Sequence, residues 1–356
     1  KFRLDSASCR GEVSGTYRVT VDCLKQENEL EKLKNDILQH SELAISYHID
    51  KIDGFDSKLV GIALTWENGK SVYLDFQRYI DEKLFLASFK EILENPDIKK
   101  YGHDMKNFIL YLRSRNIRLK GLHFDTMIAA YIINPSKETY TVAELAEEYL
   151  KTGIEPVEQL YGKGRSFTPY KDIPVESLSA VAGTHAETIF RLWRVLDRII
   201  YENGQDELYY TIELPLIEVL ADMEYYGFKV NVDGLKAFSL KLEAIIERLT
   251  KEIYSLAGEE FNINSPKQLG IILFEKLGLP VIKKTKTGFS TNAEVLEQLE
   301  PMHEIVSKIL EYRQMIKLKS TYAEGLLNVI NPKTGRIHSS FNQTVTATGS
   351  ISSTEP

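Results

Sequence analysis

The sequence predicts an α/β domain with an antiparallel hairpin in its sheet, followed by a mainly helical second half. Two β-rich runs, at 60–66 and 71–74, flank Asn68 and Gly69, whose residue types tolerate the positive φ angles of a two-residue hairpin turn. From residue 235 to 256 apolar side chains recur at helical spacing. We therefore expect two regions of different structural class.

The predicted elements alternate through the first half. A strand at 43–49 precedes the hairpin, and a helix at 82–94 leads to a short strand at 99–102. The polar, glycine-containing segment 203–205 is the predicted end of this α/β domain. Four further helices are predicted before it, at 105–115, 125–132, 142–150 and 177–201.

The long helix of the second half has recognisable ends. Asp233 is the predicted N-cap and Gly258 the predicted stop, which makes the helix a rod about 30 Å long. The Asn-Ser-Pro sequence at 264–266 predicts the start of another helix, because proline is favoured at the first helical position. A strand is expected at 337–341.

Composition limits the class of protein. The 356 residues are 43% hydrophobic, which is ample for the cores of roughly two or three domains. No apolar run reaches bilayer length, so no membrane partner is expected. Cys9 and Cys23 indicate reduced thiols and a cytoplasmic location. The net charge of −7 argues against indiscriminate coating of nucleic acid, so a basic surface must be local.

Two segments combine cations without neighbouring acids. In the helix that begins near Glu304, an apolar stripe over 305–310 gives way, at the same spacing, to Arg313, Lys317 and Ser320. Lys319 is a further cation without an opposing acid between residues 312 and 320. This replacement predicts a helix end that faces phosphates; the alternative is a helix end that simply leaves the core. The segment KKTKTGFST at 283–291 carries three lysines and four hydroxyls, which suits phosphate contact, although a charged surface hairpin has the same composition.

Two further segments have more than one interpretation. Residues 161–166 contain two glycines but lack the spacing of a phosphate-binding loop, so a surface turn is predicted. The terminal run TVTATGSISSTEP, at 344–356, consists of small and hydroxyl side chains around one glycine. It suits a sugar-phosphate surface, whereas composition alone favours a flexible Ser/Thr tail.

Four long segments occur in an order that resembles a known family. The segments 212–231, 261–291, 309–322 and 336–356 are similar to the large (Klenow-type) fragment of bacterial DNA polymerase I, family A. The resemblance implies an α/β ribonuclease-H-like domain followed by a mainly α-helical thumb and the first β-strands of a polymerase palm. It divides the chain into an exonuclease-like domain (1–203), a palm entry helix (204–232), a thumb (233–330) and a truncated start of the palm (331–356).

The resemblance also implies a function for the parent protein. This would be DNA-templated DNA polymerisation in replication and repair, with primer-template duplex DNA and deoxynucleoside triphosphates as partners, by a cytoplasmic monomer. Two Mg²⁺ ions on palm aspartates would support the transfer, and those ligands are expected beyond Pro356, so this chain alone would not polymerise. The implied DNA-binding residues are Asn262, Asn264, Ser265, Lys283, Lys284, Thr285, Lys286, Thr287, Ser290, Thr291, Arg313, Lys317, Lys319 and Ser350.

The first half is similar to a 3′-to-5′ proofreading domain, in which carboxylates hold two metal ions. Ser46 and His48 stand at the positions of the first two carboxylates, Phe108 at the third and His185 at the fourth. The resemblance therefore implies an inactive exonuclease domain that is kept as a scaffold and binds no metal.

Other acids and histidines nearby do not change this expectation. Asp104 and Glu187 are too few to hold two hard cations. A transition-metal pair of His48 and His185 is disfavoured, because such histidines are usually packed or hydrogen-bonded.

A final departure from the family lies in the terminal run. The family has an arginine directly after Thr-Gly, where this chain has Ser350, so the resemblance implies that one positive DNA contact is missing or is supplied elsewhere. Two other functions stay open for the chain: a non-catalytic duplex-DNA-binding module, and an active exonuclease of the same fold, which the missing carboxylates disfavour.

Overall fold

The computed structural model describes residues 19–51, 57–162, 167–285 and 288–355, without the side chains of residues 51 and 285. Cys9, the turn residues 163–166, Lys286 and Thr287 lie outside the described residues. The chain forms two compact units: Lys1–Gly227 with His338–Thr354, and Phe228–Ile337 with Glu355–Pro356. Within the described ranges, no helix combines the length and apolarity needed to cross a bilayer. The domain limits at 203, 232 and 330 stay predictions.

The first unit contains a six-stranded mixed sheet. Its strands lie in the order β1-β4-β3-β2-β5-β6. The pairs β2–β3 and β3–β4 are antiparallel, whereas β1–β4, β2–β5 and β5–β6 are parallel. The strands are β1 (Thr20–Leu24), β2 (Glu42–Lys51), β3 (Ser57–Glu67), β4 (Lys70–Asp75), β5 (Lys99–Gly102) and β6 (Leu122–Asp125).

The helices of the first unit cover this sheet. The long helix α7 packs against β2, β3 and β4, and its close approach to β1 depends on Gly183, where an added Cβ would lie 2.4 Å from Val21 Cγ1. The helices are α1 (Leu30–Ile37), α2 (Glu82–Leu93), α3 (Met105–Arg113), α4 (Thr126–Ile133), α5 (Val142–Leu145), α6 (Val157–Tyr161), α7 (Val175–Glu202) and α8 (Leu214–Tyr226). Wider helical turns extend α5 (Ala146–Leu150) and precede α8 (Leu208–Glu213).

The predicted hairpin is confirmed, with β3 and β4 joined across Asn68 and Gly69 and a φ of 76° at Gly69. The sequence missed β1, α1 and β6. Strand β1 buries only Val21 and Leu24, so it lacks a clean alternation. Strand β6 has four residues and ends at Asp125, which caps α4 where the prediction had begun the helix.

The second unit is built mainly of helices around its own core. Leu249 and Ile253 of the long helix α9 are fully buried with Leu296 and Ile309. A short ribbon, β7 (Lys284–Thr285) with β8 (Gly288–Phe289), is antiparallel. The helices are α9 (Val232–Ala257), α10 (Pro266–Gly270), α11 (Ala293–Leu299), α12 (Glu304–Lys317) and α13 (Gly325–Asn328), with wider turns at Ile271–Lys276 and Leu318–Glu324.

The ends of α9 partly follow the prediction. The N-cap is Asn231, whose side chain accepts a hydrogen bond from Gly234 N at 2.9 Å. The predicted cap, Asp233, is wrong; it lies in the first turn, where its charge complements the helix dipole. Gly258 ends the helix with a left-handed φ of 71°, as predicted. Ser265 caps α10 and Pro266 is its first residue, also as predicted.

The terminal part of the first unit forms a separate two-stranded antiparallel sheet. It consists of β9 (Ser340–Asn342) and β10 (Ser352–Thr354), and we call residues 338–354 the return segment. The predicted strand at 337–341 therefore begins later, because Ile337 makes only an isolated bridge to Phe228 within the second unit. The hydroxyl-rich run is thus paired strand and turn within residues 344–354.

Candidate functional site

A cavity of about 710 Å³ opens in the first unit, and two of the four positions that the resemblance assigned to metal-binding carboxylates line it. It is lined by histidines and aromatic rings, with Asp104 and Glu158 among its acids. Of the four predicted positions, His48 and His185 line this cavity. Ser46 and Phe108 are buried and are absent from the lining. The structure thus brings two of the four to one surface.

Phe108 is part of the hydrophobic core. Its side chain is fully buried, and its ring stacks on that of Tyr47 with centroids 4.9 Å apart. The hydroxyl of Tyr47 donates to the backbone carbonyl of Asp104 at 2.5 Å. The wall of the cavity at this point is therefore held by aromatic packing and by a neutral hydrogen bond.

The cavity histidines are held in the neutral form. Burial, with a smaller contribution from the nearby His185, lowers the pKa of His48 to about 3. His48 Nδ1 is buried and has no hydrogen-bond partner among the described residues. His185 Nε2 lies 2.8 Å from the carbonyl oxygen of Glu155, and burial lowers its pKa as well.

Sequence reasoning missed His103 as a third member of this group. It lines the same cavity, its Nδ1 lies 2.9 Å from Thr126 Oγ1, and burial lowers its pKa to about 3. The sequence around His103, Tyr-Gly-His-Asp, does not indicate that this histidine lies near His48 and His185. Those two residues belong to β2 and α7, which are distant from His103 in sequence.

Asp104 and Asp125 serve local structure, and Glu187 is not part of the cavity lining. Asp104 accepts from Asn107 Nδ2 at 2.8 Å. Glu187 is buried on α7 and does not line the cavity. Asp125, which the sequence did not single out, caps α4 and accepts from Met105 N at 2.7 Å; burial raises its pKa to about 6.

This donor set does not fit a pair of hard cations. A buried serine, two neutral imidazoles and a phenyl ring offer no carboxylate oxygen at the four positions. Across the described ranges, no group of three or more His, Cys, Asp or Glu side chains is arranged to hold a metal ion.

In the second unit, α12 is tied to the segment that follows the ribbon. The guanidinium of Arg313 donates through Nη1 to the backbone carbonyl of Thr291 and through Nη2 to its hydroxyl at 3.3 Å. Thr291 and Ser290 are buried, and Ser290 N donates to the carbonyl of Lys283 at 2.9 Å. Arg313 therefore fixes the base of the lysine-bearing ribbon.

The lysines on these elements differ in their surroundings. Lys283, Lys284 and Lys317 have exposed side chains. Lys319 lies 3.0 Å from Glu324 and 3.9 Å from Glu243, so the sequence-based view of Lys319 as a cation without an opposing acid is wrong. Glu243 belongs to α9, and such a long-range partner is invisible in the local sequence.

The polar residues before α10 are engaged in local structure. Asn262 Oδ1 accepts from Asn264 N at 3.0 Å, and Asn264 Nδ2 donates to the hydroxyl of Tyr312 at 3.2 Å. Ser265 Oγ accepts from Gln268 N at 3.4 Å. The side chain of Thr285, together with Lys286 and Thr287, lies outside the described residues.

Ser350 belongs to the first unit and is exposed. Its carbonyl accepts from Thr346 Oγ1 at 2.7 Å, and its hydroxyl lies 3.2 Å from Thr348 Oγ1. These bonds close a small turn of hydroxyl-bearing residues around Gly349, whose φ is 81°.

A ribonuclease H-like domain and a helical polymerase region define the class of this protein. Residues 47–191 match the family model "DNA polymerase I, ribonuclease H-like domain", and residues 232–356 match "DNA polymerase family A". The chain belongs to DNA polymerase family A, which confirms the predicted family and fold class.

Curated relatives and a solved structure agree with this assignment. DNA polymerase I of Bacillus subtilis is 48% identical over 269 residues, which cover 75% of this chain and 30% of that protein. The enzyme of Geobacillus stearothermophilus is 43% identical over 299 residues, or 84% of this chain and 33% of that protein. The chain thus spans about a third of the length of these relatives.

The solved structure is the POL domain of Pol1 from M. smegmatis in complex with DNA primer-template and dNTP. Its TM-score is 0.74 at 28% sequence identity, and the match covers 94% of this chain and 55% of that one.

Proposed function

We propose that this chain is the duplex-binding part of a DNA-templated DNA polymerase that acts in replication and repair. The solved relative carries primer-template DNA and dNTP, and we transfer the primer-template partner to this chain. In the parent protein, Mg²⁺ would be held by palm carboxylates outside residues 1–356, where it would stabilise charge in nucleotidyl transfer. The chain alone would bind duplex DNA without extending it.

The main support for duplex binding is the pair of hydrogen bonds from Arg313 to Thr291. These bonds anchor the ribbon that bears Lys283 and Lys284 to the helix that bears Lys317. A fixed set of lysines neutralises phosphates at a lower entropic cost than lysines on a free loop.

Fluorescence anisotropy of a labelled primer-template hairpin at increasing salt tests this proposal. Replacing Lys283 and Lys284 by alanine should flatten the slope of log affinity against log salt by about 2, since each phosphate contact contributes about 0.9. Lys276 and Lys308, which pair with Glu259 and Glu252, supply the matched double-alanine control. An equal loss of slope in both double variants would contradict a phosphate-binding ribbon.

We further propose that the ribonuclease H-like domain does not excise nucleotides. The burial of Phe108 against Tyr47, together with neutral His48 and His185 in the cavity, supports this part of the proposal. The parent protein is incubated with a single strand labelled at the 3′ end, in Mg²⁺ and then in Mn²⁺, beside an active exonuclease of the same fold. We expect the label to stay attached, and its release by the purified parent protein would refute an inactive domain.

A further inference from the structure

Within the first unit, the return segment contacts α8 and also α3 and α4, which belong to the ribonuclease H-like domain. At its start, His338 Nδ1 lies 2.8 Å from the carbonyl oxygen of Glu224. Further along, the buried side chain of Gln343 donates through Nε2 to the carbonyl of Glu213 at 3.0 Å and to its carboxylate at 2.7 Å. The segment is therefore attached to α8 and to the turn before it by side-chain hydrogen bonds.

A buried ion pair fixes strand β9. Lys106 of α3 pairs with Glu224 of α8, and their side chains are only 12% and 5% exposed. Lys106 Nζ also donates to the carbonyl of Phe341 at 2.5 Å, while Phe341 N donates to Glu224 Oε1 at 2.8 Å. Both backbone polar groups of Phe341 are thus satisfied by one ion pair, which determines where the segment crosses α3.

Tyr131 of α4 holds the next part of the segment. Its hydroxyl donates to the carbonyl of Thr346 at 2.7 Å, and Thr346 Oγ1 donates to the carbonyl of Ser350 at 2.7 Å. Two consecutive hydrogen bonds therefore connect a buried tyrosine of the ribonuclease H-like domain to the exposed turn at Ser350.

We infer that Tyr131 is a positioning residue for DNA binding, with the Lys106–Glu224 pair as the upstream anchor. The ribonuclease H-like domain presents the turn at 346–350 to the primer-template duplex in one conformation. This inference rests on the proposed function and on the expectation, from the family resemblance, that Ser350 lies at the duplex.

The physical reason is preorganisation. A run of small hydroxyl-bearing residues has many accessible conformations, and ordering them at the moment of binding weakens affinity. The bonds to Thr346 and Phe341 impose that order before DNA arrives. They also give the domain a role that requires no metal ion, because α3 and α4 act through their packing.

Tyr131→Phe tests the inference, with Tyr140→Phe as its matched control. Both tyrosines are buried, and their rings meet edge to face at 5.9 Å, so either change removes one hydroxyl and leaves the ring pair intact. Tyr140 donates to the carbonyl of Asn134 at 2.7 Å, outside the return segment. Both variants should lose similar thermal stability.

Primer-template affinity and hydrogen exchange are then measured on the whole chain. Tyr131→Phe should raise the Kd about two- to tenfold and accelerate amide exchange at 344–350, whereas Tyr140→Phe should do neither. Equal affinities and equal exchange for the two variants, with a wild-type chain that binds duplex, would overturn the positioning role alone. A wild-type chain that binds no duplex would overturn the proposed function as well.

Discussion

Arg313 donates two hydrogen bonds to Thr291, one to its backbone carbonyl and one to its side-chain hydroxyl. Both residues belong to the implied DNA-binding set, yet they are bonded to each other. An arginine that is half-buried and engaged in this way acts first on the position of the ribbon. Its own charge is a second contribution.

Substitution of Arg313 should separate these two contributions. Arg313→Met removes both hydrogen bonds of a charged donor, so we expect a loss of about 1.5–3 kcal/mol in unfolding free energy and weaker duplex binding. Arg313→Lys keeps the positive charge but cannot form both hydrogen bonds. It should therefore retain the salt dependence of duplex binding while losing part of the affinity. Urea unfolding and salt-dependent anisotropy measure the two effects. Arg248→Met, at an exposed arginine of the same unit, is the control, and an identical profile there would contradict this role for Arg313.

Replacing Ser350 by arginine should increase the affinity for primer-template DNA. Ser350 is exposed, and its backbone is already fixed by Thr346, so a longer side chain has room to extend. In the complete enzyme, Ser350→Arg is expected to tighten primer-template binding by about 1–3 kcal/mol and to steepen the salt slope by about 1. Ser350→Gln controls for length without charge. Unchanged salt slopes for the arginine variant would count against a contact at this position.

Acidification should destabilise the fold through the cavity histidines. The folded-state pKa values of His48 and His103 are about 3, whereas an unfolded histidine titrates near 6.5. The unfolded chain therefore binds more protons as the pH falls through 6.5, and each such histidine removes up to about 1.4 kcal/mol of stability per pH unit below that value. Asp125 acts in the opposite sense, because its folded pKa of about 6 favours the folded state as the pH falls toward 4.

Unfolding by urea between pH 7.5 and 5.5 measures this effect, and comparison with a histidine variant removes the opposing contribution of Asp125, which both proteins share. His48→Leu should make the stability less sensitive to pH in that window. His40→Gln, at an exposed histidine, controls for the loss of one imidazole. If the His48 variant keeps the wild-type dependence of stability on pH, the prediction that burial keeps His48 neutral in the folded state is wrong.

Replacing only one partner of the ion pair between Lys106 and Glu224 should strongly reduce the free energy of unfolding. Lys106→Met leaves a buried carboxylate without its cation, and we expect a loss of about 3–5 kcal/mol in unfolding free energy. The double variant Lys106→Met, Glu224→Gln should recover part of it, because glutamine still accepts from Phe341 N. Thermal and urea unfolding provide the values. Lys90→Met, in the exposed pair with Glu94, should cost less than about 1 kcal/mol, and a similar cost at both sites would be evidence against a buried pair.

Local signals in the sequence predicted much of the fold. The Asn68–Gly69 turn, the α9 helix with its stop at Gly258, and the Ser265 cap all depend on neighbouring residues, and the structure contains them. Strand β1 escaped prediction because it is recognised mainly by its parallel pairing with β4, about fifty residues away.

The candidate sites were predictable as residue types and not as contacts. Arg313 and Thr291 were each expected at a phosphate-binding surface, but their mutual hydrogen bonds depend on how α12 meets the ribbon. The bond from Tyr131 to Thr346 joins residues more than two hundred positions apart, and neither neighbourhood indicates the other. Such contacts can be identified only when the packing of the whole unit is known.

The stacking of Phe108 on Tyr47 makes a metal ligand difficult to introduce at position 108 by a single substitution. An aspartate at position 108 would place a carboxylate in a fully apolar setting, where it costs stability unless a cation meets it. Position 46 would still be a serine and position 185 an imidazole, so that cation would find too few oxygen ligands. The packing around Phe108 therefore opposes the introduction of metal ligands at these positions one residue at a time.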